Sequence, residues 1–235
     1  MKKYKLTIII PAFNEKKTLP ILLKRISKIK IKKQIIIIDD NSTDGTQIFL
    51  KRLKRGVDKI IFHKKNLGKG AAIMSAQKFI KGEFVIIQDA DLEYSPSDYK
   101  IMLKKIIREN LDVVYGSRVL KISSFKKVQN FSHRIRIYGN ILLTSLSNLI
   151  NGQKLTDAHT CYKMFRSSVF KSIKLKEKGF SFCPEVTTKL SLINKKIVEV
   201  PINYKGRSYS EGKKIVAFDG VRAILTLIKY RFFDV

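Results

Sequence analysis

The sequence is poor in cysteine, histidine, tryptophan and acidic residues. Its two cysteines, Cys161 and Cys183, belong to no C-x-x-C pair, so we predict neither a disulfide framework nor a cysteine zinc site. The three histidines are isolated along the chain, which argues against a histidine metal centre. No apolar run approaches the ~20 residues that span a bilayer. We therefore expect a protein that does not cross a membrane and works in the reduced cytoplasm.

Basic residues greatly outnumber acidic ones. Lysine and arginine number 48 against 19 aspartates and glutamates, which gives the 235-residue chain a formal net charge of +29. This excess favours polyanionic partners, such as nucleic acid, anionic lipid or phosphorylated substrates. A general compositional bias explains it equally well, because the cations are scattered along the chain. The interpretation as a nucleic-acid-binding protein depends on charge alone, and we do not favour it because no binding motif is present.

Two hydrophobic patterns alternate along the first half of the sequence. Short apolar runs, typical of buried strands, occupy residues 6–10, 35–38, 59–62, 83–88 and 112–115. Helical periodicity fills the stretches between them. This alternation predicts an α/β fold with a mainly parallel central sheet flanked by helices. The second half is less regular, with helices predicted over residues 132–150, 184–194 and 215–233, and strands within 156–165 and 196–204.

An acidic pair, Asp89 and Asp91, follows the fourth predicted strand. In an extended backbone, side chains two residues apart point the same way, and two carboxylates about 4 Å apart repel by roughly 4 kcal/mol at an effective dielectric of 20. Mg²⁺ or Mn²⁺ relieves such repulsion and commonly shares its shell with substrate phosphates. Glu93 is a candidate third or water-mediated ligand. A lone D-x-D is more often a solvated turn, but ligands of parallel sheets bind at this end of the strands.

Three further loops hold candidate binding residues. Residues 11–15 and 39–46 follow the first two predicted strands, and Asp40 is a candidate acceptor for base or ribose groups. Residues 66–70 open a helix whose N-terminus favours a phosphate, and Lys69 adds a positive charge. Each loop alone is more often an ordinary turn. A sugar-phosphate nucleotidyltransferase is the rival enzyme, but residues 11–15 lack the glycine- and arginine-rich loop that it usually needs.

Together these motifs resemble those of the family 2 glycosyltransferases. The order is P-A-F-N-E at 11–15, D-D-N-S-T-D-G-T at 39–46, N-L-G-K-G at 66–70 and D-A-D-L-E at 89–93. It continues with Gly116-Ser117-Arg118, Asp157, residues 160–163, residues 182–185 and Arg207. The resemblance covers nearly the whole chain and is strongest to the polyprenyl-phosphate sugar synthase branch. It implies the GT-A fold, a Rossmann-like fold of nucleotide-diphospho-sugar transferases.

The resemblance also implies roles for individual residues. The residues implied to bind the nucleotide sugar are Pro11, Ala12, Asn14, Glu15, Asp40, Gly68, Lys69, Asp89 and Ala90. Those implied to bind the metal, Mg²⁺ or Mn²⁺, are Asp89, Asp91 and Glu93. Those implied to bind the acceptor phosphate or the donor diphosphate are Lys163, Arg207 and Lys213. The implied catalytic residues are Asp157, Arg118 and Glu185.

The implied reaction is a metal-assisted inverting transfer of a hexose from a donor of the GDP-mannose or UDP-glucose type. A polyprenyl phosphate acceptor needs no strong base, so Asp157 would then orient other groups. A saccharide hydroxyl in cell-envelope polysaccharide synthesis is the alternative acceptor, and it would need Asp157 or Glu185 to take its proton. The sequence reads H-T-C-Y-K at 159–163 where dolichol-type enzymes tend to have T-S-G-F-R. Lys163 keeps the charge but loses the bidentate fork of arginine.

We predict one domain with three parts: a nucleotide-sugar-binding half over residues 1–120, an acceptor-binding half over 121–213 and an amphipathic C-terminal helix over 214–235. That helix mixes apolar residues with lysine and arginine. It is compatible both with packing on the core and with contact to an anionic membrane on its cytoplasmic face. A homodimer is also compatible with the sequence.

Overall fold

The computed structural model describes residues 4–121, 131–207 and 217–234. Its strands are β1 (Leu6–Ala12), β2 (Lys33–Asp39), β3 (Lys59–Phe62), β4 (Phe84–Ile87), β5 (Val113–Ser117), β6 (Lys163–Arg166) and β7 (Ile197–Pro201). Its helices are α1 (Leu19–Ser27), α2 (Thr46–Arg52), α3 (Lys69–Ala76), α4 (Tyr99–Arg108), α5 (Phe131–Asn151), α6 (Ser167–Ser172), α7 (Phe182–Leu192) and α8 (Ala217–Phe232). Two 3₁₀ turns span Gln77–Phe79 and Pro96–Asp98.

These strands form one sheet in the order β3-β2-β1-β4-β6-β5-β7. β1 pairs in parallel with both β2 and β4, β2 with β3, and β5 with β7. Only β6 runs antiparallel, between β4 and β5. The prediction of a mainly parallel sheet flanked by helices is therefore confirmed.

The continuous apolar strands are explained by burial on both faces of the sheet. In β1, Ile8 belongs to the cluster that includes residues of α1 and α4, and the next residue, Ile9, belongs to the cluster of α3 and α7. Both side chains are fully buried. Because neighbouring strand residues point to opposite faces, a two-sided core needs apolar residues at every position.

The topology brings several loops to one edge of the sheet. Since β1, β2 and β4 are parallel, the residues after all three strands meet at their common carboxyl edge. The antiparallel β6 begins at the same edge, because Met164 pairs with Ile86 and Arg166 with Phe84. Residues just before β6 therefore join the loops after β1, β2 and β4. Local hydrophobic pattern does not specify this insertion, and the sequence did not predict it.

Two local features were not specified by the predictions. The helix α2 begins only at Thr46, after Asn41 and Gly45, which adopt left-handed backbone angles with φ of 62° and 95°. The short helix α6 was not predicted. No helix within the described residues is long and apolar enough to cross a membrane.

Candidate active site

A cavity of about 400 Å³ opens at the carboxyl edge of the sheet. Its walls come from the loops after β1, β2, β4, β5 and β7, the start of α3, and the segments before β6 and α7. The lining residues are Pro11, Ala12, Phe13, Glu15, Asp40, Asn66, Gly68, Lys69, Ala72, Asp89, Ala90, Asp91, Glu93, Tyr94, Arg118, His159, Cys161, Phe180, Tyr204 and Arg207.

The acidic pair after β4 lies in this wall. Asp89 forms an ion pair with Lys69, and Asp91 Oδ2 lies 3.2 Å from Arg207 Nη2. Asp91 Oδ1 accepts a hydrogen bond of 3.0 Å from the Glu93 backbone N–H. Burial, together with the negative charges of Asp89 and Glu93, raises the pKa of Asp91 to about 7. Negative charge is thus concentrated at this point of the cavity.

The described lining residues are acidic overall, although the chain is strongly basic. Five carboxylates, of Glu15, Asp40, Asp89, Asp91 and Glu93, face three cationic side chains, of Lys69, Arg118 and Arg207. The formal charge of the whole chain is +29. A divalent cation would offset this local excess of negative charge.

The predicted third metal ligand, Glu93, is occupied by other contacts. Its Oε2 accepts from the Tyr204 hydroxyl at 2.8 Å, and its Oε1 accepts from the Arg207 backbone N–H at 2.7 Å. Within the ranges that the structure describes, no three histidine, cysteine, aspartate or glutamate side chains converge as a metal site. Asp89 and Asp91 also have partners, so these carboxylates could hold a metal ion only by exchanging contacts, with further ligands from substrate or water.

The start of α3 packs closely against residues 177–178. A Cβ atom on Gly68 would collide with the Lys178 carbonyl oxygen, and one on Gly70 with that of Glu177. Glycine at these positions lets α3 begin at the cavity wall and places Lys69 beside Asp89. Burial disfavours the charged amine, but the attraction of Asp89 outweighs it and holds the pKa of Lys69 well above its usual range.

Asp40 lines the cavity and also supports this turn. Its Oδ1 accepts from the Leu67 backbone N–H at 2.8 Å and lies 2.7 Å from His63 Nδ1. Its Oδ2 accepts from the Gly68 backbone N–H at 2.7 Å. Much of its hydrogen-bonding capacity is therefore used within the protein.

Of the residues at the end of β1 and in the loop after it, some line the cavity and others do not. Pro11, Ala12 and Glu15 line the cavity, as does Ala90 after β4. Asn14 lies outside the lining, with a left-handed φ of 57°. Its side-chain oxygen accepts from the Thr43 N–H at 2.8 Å, which ties the loops after β1 and β2 together. Asn14 therefore shapes the site without lining it.

Arg118 lines the cavity, and Asp157 lies behind it, fully buried and outside the lining. The carboxylate accepts from Arg118 Nε and Nη2 at 2.7 Å each, from the Arg118 backbone N–H and from Asn140 Nδ2. Burial opposes ionisation, but the charge and hydrogen bonds of Arg118 hold the pKa of Asp157 below its usual range. These contacts suit Asp157 to fix Arg118 in place.

Besides Asn14 and Asp157, the predicted residues Glu185 and Lys163 are not among the cavity lining. Glu185 is fully buried and accepts from the backbone N–H groups of Lys176 and Glu177, at 2.6 and 2.9 Å. Lys163 is also fully buried; its Nζ donates to the Ala158 carbonyl at 2.9 Å, and burial lowers the pKa to about 8. Lys213 lies outside the described residues. Neither Glu185 nor Lys163 touches the cavity space in this conformation.

Sequence reasoning did not assign a role to several lining residues: Phe13, Tyr94, His159, Cys161, Phe180 and Tyr204. Most of them stand inside or beside the motifs, and this proximity was the available signal. Tyr94 follows D-A-D-L-E directly and stacks on Tyr162, with ring centroids 5.0 Å apart. Tyr204 reaches the site through its contact with Glu93, which is distant in sequence.

Comparisons with known proteins show the family of the chain. The family model of glycosyl transferase family 2 matches residues 7–174. An uncharacterized protein of Methanocaldococcus jannaschii is 31% identical over 224 residues, covering 88% of this chain and 93% of its own. Dodecaprenyl-phosphate galacturonate synthase of Rhizobium johnstonii is 24% identical over 240 residues, covering 99% of this chain and 68% of its own.

A solved structure shows a similar fold. Glucosyl-3-phosphoglycerate synthase from Mycobacterium tuberculosis, in complex with Mn²⁺, UDP and glucosyl-3-phosphoglycerate, aligns with a TM-score of 0.67 at 16% identity. The alignment covers 97% of this chain and 80% of that one. With a family match over most of its length, a mixed sheet of this order and an acidic pair at its carboxyl edge, the chain belongs to glycosyl transferase family 2 and is a nucleotide-sugar-dependent glycosyltransferase of the GT-A fold.

Proposed function

We propose that this enzyme transfers a hexose from a nucleotide-diphosphate sugar, of the GDP-mannose or UDP-glucose type, to a polyprenyl phosphate. The observation that carries the proposal is the acidic cavity wall in a strongly basic chain, with Asp89 and Asp91 beside Lys69. A diphosphate that carries a divalent metal ion would fit this acidic wall, because the cation offsets the negative charge. The lipid acceptor is supported by the printed name of the Rhizobium relative, which is a dodecaprenyl-phosphate sugar synthase.

Asp89 and Asp91 would hold Mg²⁺ or Mn²⁺. Their carboxylate oxygens are the ligands that these ions prefer, and their combined negative charge is what a cation would relieve. The Mycobacterium tuberculosis structure contains Mn²⁺ together with UDP, which supports the same use here. The bound ion would neutralise negative charge on the departing nucleotide diphosphate.

The cationic side chains of the cavity would also neutralise negative charge on the departing nucleotide diphosphate. Lys69 enters the wall from α3, and Arg118 and Arg207 enter from the segments after β5 and β7. Asp157 holds the guanidinium of Arg118 from behind, so that this charge is fixed before the substrate arrives. Preorganised charges of this kind stabilise a transition state without reorganisation at the moment of reaction.

The lining carboxylates fit a phosphate acceptor, because none of them then needs to serve as a general base. Each of the five has a cationic or hydrogen-bond partner in the described structure: Glu15 and Asp91 with Arg207, Asp40 with the turn before α3, Asp89 with Lys69, and Glu93 with Tyr204. A hydroxyl acceptor would need one of them, or the buried Asp157, as its base. A phosphate is already mostly ionised at neutral pH, since its second pKa is ~6, and attacks without one.

A two-stage assay tests the proposal. Thermal shifts measured with UDP-glucose, GDP-mannose and other nucleotide sugars, with Mn²⁺, Mg²⁺ or EDTA, should show stabilisation by one donor class only when metal is present. Labelled donor is then offered to a polyprenyl phosphate, to the matching polyprenol and to a soluble saccharide. We expect transfer to the phosphate alone. Equal transfer to the polyprenol, or transfer only to the saccharide, would contradict the proposed acceptor.

We also propose that the enzyme reaches its lipid at the cytoplasmic face of an anionic membrane. One side of α8 is buried through Ala223, Leu227 and Tyr230, while Val221, Leu225, Ile228 and Phe232 on the other side are exposed. The neighbouring α5 exposes Tyr138, Leu142 and Leu149. Exposed apolar side chains on a cationic chain are typical of proteins that bind anionic lipid.

Flotation with vesicles tests this contact. Binding should require anionic lipid and should weaken when Leu225, 61% exposed on α8, is changed to Glu. The matched control is Ile48→Glu on α2, 57% exposed and on a different helix, which should float normally. Equal losses in the two variants, or no flotation of the wild type, would contradict the membrane proposal.

A further inference from the structure

The two cysteines of the chain contact each other at the cavity, where Cys161 is a lining residue. Cys161 lies two residues before β6 and lines the cavity. Cys183 lies in the first turn of α7 and is buried. Their sulfur atoms are 3.9 Å apart. The chain contains no other cysteine. Residues separated by 22 positions are thus brought within contact by the fold.

This separation suits a reversible covalent link. A disulfide has its sulfurs about 2 Å apart, so the two segments that carry the cysteines must approach each other to close the present gap. Both thiols are free in the structure. Because Cys161 faces the cavity, a small reagent can reach the pair from the space that admits the substrate.

The surroundings favour a thiolate at Cys183. The contact with Cys161 acts against burial and, with the nearby ammonium groups of Lys163 and Lys69, lowers the pKa of Cys183 to about 6. The first turn of α7 contributes in the same sense, because the N-terminus of a helix favours negative charge. The contact with Cys183 and burial raise the pKa of Cys161, so Cys183 is the thiol of the pair that ionises more readily; when protonated, it donates to the Thr160 carbonyl oxygen, 3.6 Å from its sulfur. A thiolate next to a second thiol is the arrangement that oxidises to a disulfide.

We propose that Cys161 and Cys183 form a peroxide-sensitive dithiol site that switches the donor cavity between a reduced, binding-competent form and an oxidised form. One thiolate attacks a peroxide oxygen and becomes a sulfenic acid, releasing hydroxide. The second sulfur then attacks the sulfenic sulfur, the S–S bond forms, and the remaining oxygen leaves as water. In sum, two thiols and one hydrogen peroxide give one disulfide and two waters, and the sulfurs lose the two electrons that the peroxide gains.

The disulfide would change the wall that holds the donor. Cys161 donates its backbone N–H to the Tyr94 hydroxyl at 3.2 Å, and both residues line the cavity. Drawing Cys161 toward α7 therefore moves a part of the lining that neighbours Asp89 and Lys69. We expect the oxidised enzyme to bind nucleotide and metal more weakly, and dithiothreitol to restore binding.

Intact mass spectrometry of the folded chain tests the site directly. Treatment with one equivalent of hydrogen peroxide should remove two hydrogen atoms from a chain that stays monomeric, and alkylation should then find no free thiol. Since Cys161 and Cys183 are the only cysteines, this mass change has one assignment. Bound nucleotide diphosphate with Mn²⁺ should slow the reaction by filling the cavity.

Two variants serve as controls. Cys161→Ser and Cys183→Ser, each checked for native circular dichroism, should give no loss of two hydrogens and instead gain oxygen or form a dimer through the remaining thiol. Should Cys183→Ser not fold, Cys161→Ser and the wild type still decide the matter. Both thiols remaining free in folded protein, or a disulfide that forms only in urea, would overturn the proposal. The mass measurement needs no donor or acceptor, so its result is independent of the proposed function.

Discussion

Asp157 binds the guanidinium of Arg118 with both carboxylate oxygens, Nε to Oδ2 and Nη2 to Oδ1 at 2.7 Å each. Asp157 is fully buried and the Arg118 side chain is 22% exposed, at the cavity. The pair therefore has a buried carboxylate, which holds the guanidinium, and a partly exposed guanidinium, which faces the cavity. This division of roles leads to the first two predictions.

Asp157→Asn should lower both stability and activity. The substitution leaves the partly buried Arg118 without its charge partner, and breaking a buried pair in this way costs about 3–5 kcal/mol. Denaturant unfolding and initial rates measure the two effects. The control is Asp112→Asn, whose ion pairs with Lys195 and Arg166 are partly exposed and should contribute less than about 1 kcal/mol. A variant with full activity would show that the position of Arg118 does not depend on Asp157.

The same pair should contribute to acid sensitivity. The pKa of Asp157 is lower in the folded protein than its ordinary value of 3.8, so the unfolded chain takes up the proton first as the pH falls. The stabilisation is therefore complete above about pH 4 and is lost as the pH drops through the folded pKa. Unfolding of wild type and Asp157→Asn at stepwise lower pH should show a difference that shrinks below about pH 4. A constant difference would contradict this assignment.

Asp91→Asn should abolish metal-dependent donor binding. The variant loses one of the two carboxylates proposed to hold the ion, and removal of a group that stabilises transition-state charge costs about 100-fold or more in rate. Thermal shift with nucleotide and Mn²⁺, followed by transfer rates, measures this loss. Glu109→Gln changes an equally negative side chain on the surface after α4 and should behave as wild type. Full metal-dependent activity in Asp91→Asn would exclude Asp91 as a ligand.

Metal affinity should rise with pH up to neutrality. Asp91 has its pKa raised to about 7, and a metal binds only the ionised carboxylate, so protons compete with the ion below that value. Mn²⁺ titrations from about pH 5.5 to about pH 8.5 should show up to about a tenfold gain per unit below pH 7 and a plateau above it. Calorimetry in buffers of different ionisation enthalpy should detect proton release at the acid end. An affinity that does not change over this range would contradict the role of Asp91.

Gly70→Ala should destabilise the enzyme and displace Lys69. The added methyl group would overlap the Glu177 carbonyl oxygen, and overpacking of this kind costs about 1–3 kcal/mol. The control is Gly139→Ala on α5, where nothing lies within 4 Å of the new atom. That change should stabilise by about 0.5–1 kcal/mol, because alanine favours a helix over glycine. Thermal unfolding and nucleotide affinity measure both variants; equal behaviour would contradict the close packing of α3.

Local pattern was sufficient for the parallel part of the sheet. The apolar runs at residues 6–10, 35–38 and 83–88 correspond to β1, β2 and β4, since burial on both faces leaves a signal at every position. The acidic pair after β4 could be placed in the cavity from the rule that ligands bind beyond the carboxyl ends of such strands. These inferences needed only neighbouring residues.

Contacts between distant residues could not be obtained in this way. The sequence named Asp157, Glu185 and Lys163 as residues at the site, but it could not show that the first lies behind Arg118 and that the other two lie outside the cavity lining. It treated Cys161 and Cys183 as unrelated, although their sulfurs are 3.9 Å apart. It did not predict the antiparallel insertion of β6, which begins at the carboxyl edge of the sheet.

The sequence by itself therefore determined the layered α/β class, the family and the acidic pair, because periodicity and short motifs are properties of neighbours along the chain. The tertiary structure decided which charged groups line the cavity, which ones support them from behind, and which two thiols touch. Those outcomes depend on the order and direction of strands that are far apart in sequence, and on burial, which fixes the partner and the protonation of each buried group.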